Sequence, residues 1–330
     1  MQLQRRRAGM LAGIISTALL AASLTACSQD SGETSGDGGG GDGVVVGFAQ
    51  QTNSVSYRSN QTDSIKSEGE KRGYDVVATD AQDDTAKQVS DVEDLVSQGV
   101  DYLVLSPREF DGLAAGLLAA READIPVILV DREAEGVAGE DFVTYIGSDY
   151  VWEGEQAGEW VVENTGGQAG VVELTGTAGA SSARDRSQGF HDAIAESPGI
   201  KLIAEQTANF SRADAQEVMD NILAANRDSI DVVYAHNDEM ALGAALAIQA
   251  AGLKPGVDIK IVGIDGQKEA FEAIQDGTMS ATVFSSPYYG PDVFDVIDAL
   301  EKGDKVDTKI VLDGYVVDAS NVEDKFSEAY

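Results

Sequence analysis

From about residue 44 onward, short runs of β-branched and aliphatic residues alternate with longer amphipathic segments, and this alternation most narrows the fold. The runs fall at 44–48, 75–78, 102–105, 127–130, 143–146, 171–174, 201–206, 232–235, 260–264, 281–284 and 309–312. Most are unbroken stretches of Val, Ile and Leu, as strands buried on both faces require. Between them, Val89, Val92, Leu95 and Val96 recur at helical spacing. So do Val218, Ile222 and Leu223 after Ser211, with Asp214 completing a loose capping box. Strands alternating with helices of this length form βαβ units, and hence parallel sheets with helices on both faces. Two such sets, at 44–148 and 149–283, predict an α/β chain of two similar doubly wound lobes. A last helix over 291–302 and strands at 281–284 and 309–317 read as returns between the lobes, which makes a multi-strand hinge. The expected division is 44–148 plus 284–312 in the N-terminal lobe and 149–283 plus 313–330 in the C-terminal lobe.

The segment ahead of this body has a different character. Arg5, Arg6 and Arg7 precede an apolar stretch over 8–22, the layout of an export signal. That stretch is shorter than the roughly 20 residues needed to cross a bilayer core. It ends in Leu24-Thr25-Ala26-Cys27, which resembles the lipobox of bacterial lipoprotein signals. The likeness implies a signal peptide over 1–26, cleavage before Cys27 and lipid on its sulfur. The protein would then be extracytoplasmic, held at the outer face of the cell membrane by the lipid anchor alone. Residues 28–43 (SQDSGETSGDGGGGDG) contain no aliphatic or aromatic side chain, so burial cannot offset their ordering entropy, and 27–43 reads as anchor and flexible linker. A single cysteine excludes a disulfide framework and a cysteine metal cluster. The net charge of -34 argues against nucleic acid and anionic lipid as partners and for a soluble surface.

In open parallel sheets, ligands bind outside the carboxyl ends of the strands. The residues that follow the predicted strands are therefore candidates for a site. They are Gln50 with Tyr57 and Arg58 just beyond, Ser106 and Arg108, Asp131-Arg132, a loop leading to Arg184-Asp185-Arg186, His236-Asn237-Asp238, and Asp265-Gly266. Each also has a local reading: Asp131-Arg132 as an ion pair, Asn237 and Asp238 as helix caps, Asp265-Gly266 as a turn. Their joint arrival at strand ends in both halves favours a site. Asp accepts from hydroxyls, Arg donates in a fixed fork, Asn does both, and an aromatic ring covers a CH face. That inventory suits a polyhydroxylated ring.

Several blocks carry a family resemblance. They are Gly47-Phe48-Ala49-Gln50, Tyr57-Arg58 before KSEGEKRG (66–73), PVILVDR (126–132), VVELTGTAGA (171–180) with DRSQGF (185–190), VYAHNDEM (233–240), AGLKP (251–255) and GIDG (263–266). Together they resemble the type I periplasmic sugar-binding proteins of ABC transporters, in the ribose and galactose branch, and most of all the galactofuranose binders. The likeness covers nearly everything after Val44. It implies that Tyr57 packs on a sugar and that Arg58, Asp131, Arg132, Arg186, Asn237 and Asp265 hold its hydroxyls; Gln50 and Ser106, placed by their strand ends, are expected in the same site. It also implies a monomeric protein that passes a monosaccharide, galactofuranose-like or another furanose or pentose, to ABC permease subunits. Tyr57 stands where the galactofuranose binders carry tryptophan, and Ser285-Ser286-Pro287-Tyr288-Tyr289 departs from their pattern, so the choice of sugar stays open. The alternative is a different small polar ligand, such as an autoinducer or nucleoside, for uptake or chemosensing.

Other functions fit poorly. A regulator built on the same two-lobed core needs a basic helix-turn-helix ahead of it, where this chain carries an apolar leader and a glycine tether. An enzyme is not expected: the chain has only His191 and His236, no G-x-S-x-G elbow and no histidine pair at a metal-binding spacing. Neither a cofactor nor a metal is predicted.

Overall fold

The computed structural model describes residues 43–330. Cys27, expected as the lipid anchor, the expected signal peptide over 1–26 and nearly all of the expected linker lie outside the described residues. Within them the chain begins β1 (Val45–Gln50), α1 (Ser56–Arg72), β2 (Asp75–Asp80), α2 (Thr85–Gln98), β3 (Tyr102–Leu105), α3 (Ala114–Glu122), β4 (Val127–Val130) and β5 (Thr144–Ser148). It continues α4 (Tyr150–Thr165), β6 (Gln168–Thr175), α5 (Ser181–Ile194), β7 (Gly199–Thr207), α6 (Arg212–Asn226), β8 (Val232–Ala235), α7 (Asp238–Ala250), β9 (Lys260–Asp265) and α8 (Lys268–Gln275). It closes with β10 (Ala281–Phe284), α9 (Gly290–Glu301), β11 (Lys309–Leu312), β12 (Tyr315–Asp318) and a short α10 (Val322–Lys325).

These strands form two six-stranded sheets, β11-β5-β4-β3-β1-β2 and β12-β10-β9-β8-β6-β7. The first is parallel throughout. The second is parallel except where β12 runs antiparallel to β10. The two-lobed α/β architecture expected from the sequence is present, with this one antiparallel edge added. The strand expected at 309–312 is β11, and the chain returns after Asp313-Gly314 as β12 in the other sheet.

Local sequence accounts for the elements. Central strands such as β3, β4 and β8 are buried at every residue. Successive side chains alternate between helical layers: Val104, Ile128 and Val130 pack with Val293 and Phe294, while Leu103, Leu105 and Leu129 pack with Val92, Leu95 and Leu117. Ser211 accepts from the Asp214 amide as the predicted cap of α6, and Asp84, Asp149 and Asn237 cap α2, α4 and α7 in the same way. Gly73, Gly99 and Gly166 end helices in the left-handed region.

The chain passes between sheets after β5, after β10 and between β11 and β12. Ser148 and Ser285, on the first two passes, share a hydroxyl hydrogen bond of 3.0 Å. The third pass runs so close to the others that a Cβ on Gly314 would stand 2.7 Å from both the Phe284 carbonyl oxygen and the Trp152 ring.

Candidate functional site

The carboxyl ends of both sheets face a common cleft of about 660 Å³. Tyr57, Arg58, Asp131, Arg132, Arg186, Asn237 and Asp265 all line it. Gln50 and Ser106 are wholly buried and stand one layer behind. Gln50 Nε2 donates to Gln61 Oε1 at 2.9 Å, and Ser106 Oγ accepts from Arg58 Nη1 at 3.2 Å, so these two residues brace Arg58 from within.

On the first-sheet side, the tip of β4 supplies Asp131 and Arg132. Asp131 has φ of 65°, a left-handed conformation that few non-glycine residues adopt, and its backbone oxygen accepts from the hydroxyls of Tyr145 (2.6 Å) and Tyr150 (2.7 Å). These bonds hold the strained turn and aim the carboxylate. Oδ1 accepts from Tyr150 at 2.8 Å, and Oδ2 lies 2.6 Å from Arg58 Nη1. Burial alone would raise the Asp131 pKa, but the charges of Arg58 and Arg132 hold it below the ordinary carboxylate value. Burial, with Arg58 nearby, lowers Arg132 to about 10. Arg132 Nη1 donates to Gln51 Oε1 and to the Arg108 carbonyl, both at 2.7 Å.

On the second-sheet side, α5 presents Arg186, whose Nε donates to Glu153 Oε2 at 2.8 Å and whose Nη1 donates to the His236 carbonyl at 2.5 Å. Asp265 Oδ1 is 3.5 Å from Arg186 Nη2. Burial pushes the Asp265 pKa well up, with Arg186 opposing. Asp265 also has positive φ (126°), so the acids facing the cleft from the two sheets share a backbone feature that costs energy and concentrates at functional sites. Asn237 both lines the cleft and caps a helix: its Oδ1 accepts from Met240 N at 3.0 Å and its Nδ2 donates to the Phe210 carbonyl at 3.3 Å.

Several residues of this arrangement carried no signal in the sequence. Glu153 sits on α4 among Glu155, Glu159 and Glu163, which read as a solvated helix face, yet it is 1% exposed. Phe210, at φ 58°, places its ring 5.0 Å below the Arg132 guanidinium, joining the two sides of the cleft. Tyr150, Gln51 and Gln61 lie beside the predicted set. Both histidines are away from the cleft lining, and His236 is fully buried against Glu173.

The lobes touch across the cleft rim. Phe110 N donates to the Gly179 carbonyl at 2.9 Å, and Glu133 N donates to Ser181 Oγ at 3.0 Å. Two lobes on three crossings, with polar groups from both meeting in one cleft, define the architecture of a solute-binding protein.

The sequence matches the periplasmic binding protein domain over residues 46–305. The chain belongs to this family, whose members are substrate-binding proteins and not enzymes. It is 38% identical over 272 residues to the galactofuranose-binding protein of Escherichia coli K12, covering 82% of this chain and 86% of that one. It is also 38% identical over 266 residues to the ribose import binding protein of Bacillus subtilis 168, covering 80% and 84%. Among solved structures, the arabinose ABC transporter binding protein of Shewanella sp. ANA-3, bound to α- and β-L-arabinofuranose, superposes with a TM-score of 0.83 at 39% identity, covering 86% and 95%.

Proposed function

We propose that this protein is a monomeric, lipid-anchored solute-binding protein that captures a monosaccharide outside the cell and delivers it to the permease of an ABC importer. The sugar is a furanose or pentose, of the galactofuranose or arabinofuranose kind. Cys27 carries the lipid, and the lobes of 44–148 plus 284–312 and 149–283 plus 313–330 turn about the three crossings.

One observation carries this reading. Arg132 Nε is buried, belongs to a cleft-lining residue and has no hydrogen-bond partner among the described residues, while Asp131 Oδ2 beside it is met by Arg58 Nη1 at 2.6 Å and keeps a further lone pair. Buried polar atoms are rarely left without a partner. The two groups are 3.7 Å apart, close enough for one hydroxyl to donate to the carboxylate and accept from the guanidinium. A group that must both donate and accept is a hydroxyl rather than a carboxylate or an ammonium. The many acceptors and donors around this pair supply the same need for the rest of a polyol.

Nearby family members support the class. Proteins named for galactofuranose binding and for ribose and fructose import are among its relatives. The test is a thermal-shift panel of furanose and pyranose monosaccharides, with a purine nucleoside included, since a ligand that binds only the folded state raises the melting midpoint. A rise confined to furanoses or pentoses is expected. A rise with the nucleoside and none with any sugar would overturn the reading.

A further inference from the structure

Behind the cleft, three residues distant in sequence come together on one face of the second sheet. Glu173 on β6 and Glu205 on β7 are register partners in adjacent strands, so their side chains leave the sheet on the same side. His191 reaches over them from α5, and its Nε2 lies 2.7 Å from Glu173 Oε2. One ligand atom from each of the three lies within 4.8 Å of the others.

The surroundings point to a cation. Like charges set directly opposite on neighbouring strands destabilise a sheet, and here one member of the pair, Glu173, is fully buried. Its other oxygen, Oε1, is already committed, accepting from Ser187 Oγ at 2.7 Å and His236 Nε2 at 2.8 Å. Such outer bonds orient a ligating carboxylate. Glu205, among the described residues, has neither a hydrogen bond nor an ion pair through its carboxylate. None of the three lines the cleft, so the sugar does not account for them.

We propose that Glu173, His191 and Glu205 form a zinc site, with one imidazole and two carboxylate ligands and a fourth position open to solvent. An imidazole with two carboxylates suits Zn²⁺ better than Ca²⁺ or Mg²⁺, which take oxygen ligands in larger number. Bonds of about 2.1 Å in a tetrahedron place ligand atoms roughly 3.4 Å apart. The His191 ring would therefore withdraw slightly from Glu173, which its half-exposed position on a surface helix allows.

Zn²⁺ titrated calorimetrically into the chelator-treated full chain should bind at one equivalent. At a hundredfold excess over Kd it should raise the melting midpoint by about 5 °C, while Ca²⁺ and Mg²⁺ leave it unchanged. His191→Ala and Glu205→Gln, both changes of solvent-accessible side chains, should each weaken Zn²⁺ binding at least tenfold. In the unaltered protein the His191 ring resonances should move on adding Zn²⁺. No binding at millimolar Zn²⁺, an affinity in both variants unchanged from that of the unaltered protein, or an unmoved His191 signal would each overturn the site.

Discussion

Arg186 and Glu153 are paired at 2.8 Å with side chains 5% and 1% exposed, a buried ion pair that reaches the cleft from the α4–α5 side. Burial pushes the Glu153 pKa up against the pull of Arg186, while Arg186, whose burial opposes its charge, is held strongly protonated by Glu153 and Asp265. Removing one member of such a pair leaves the other charge uncompensated, at a cost of about 3–5 kcal/mol. Glu153→Ala should lower urea-derived stability by this amount and weaken ligand binding as Arg186 swings free. Unchanged affinity would remove Arg186 from the binding surface.

The same two helices are held at close range by glycine. A Cβ on Gly189 would overlap the Val151 carbonyl oxygen, and one on Gly154 would overlap the carbonyl oxygen of Arg186 itself. Gly189→Ala must therefore part α4 from α5 and carry Arg186 with it. Overpacking of this kind costs about 1–3 kcal/mol, and affinity should fall by tenfold or more. Gly303→Ala is the matched control: φ is 75° but the space is open, so about 1 kcal/mol of strain with native binding is expected.

Arg132→Ala tests the Asp131–Arg132 pair directly. A hydrogen bond to a charged group is worth about 1.5–3 kcal/mol, so ligand affinity measured by calorimetry should drop about 10- to 150-fold. Near-native affinity would show that the ligand does not use this guanidinium.

Asp238 gives a pH signature. It accepts from Thr282 Oγ1 and Gly266 N at 2.7 Å and Gln267 N at 2.8 Å, yet burial outweighs these donors and raises its pKa from 3.8 to about 7. Between these values the folded state keeps a proton that the unfolded chain has released. Its contribution is thus fully present below pH 3.8 and lost as pH rises toward 7, worth roughly 4 kcal/mol at 1.36 kcal/mol per unit. Asp238→Asn should flatten this slope in urea titrations run from pH 4 to 7. An unchanged slope would assign the proton to another group.

Trp152 lies against Gly314 in the third crossing, whereas Trp160 donates from its indole nitrogen to Asp318 at 3.2 Å on β12. Ligand-driven closure should alter Trp152 emission, because the crossings are where the lobes turn. The change should vanish in Trp152→Phe and persist in Trp160→Phe.

Much of the fold was legible because strands buried on both faces announce themselves as apolar runs, and β3, β4 and β8 match theirs residue for residue. The antiparallel run of β12 beside β10 was not, since an apolar run carries no strand direction. In the candidate site, strand ends led to Asp131, Arg132, Asn237 and Asp265 on the cleft wall, but also to Gln50 and Ser106, which α1 covers by laying Arg58 over them. Which side of a strand tip faces solvent is decided by the helix that follows, and a linear pattern does not carry that information. Glu153 stayed hidden for a related reason: its burial depends on glycines in two helices meeting, a tertiary event.

The threading of the chain has a consequence for its birth. The first sheet lacks its edge until β11 is made, and the second lacks its antiparallel border until β12 follows. A polypeptide delivered N-terminus first to the place where it folds therefore holds two unfinished half-molecules until its final segments arrive, so completion of the native state waits for the last residues.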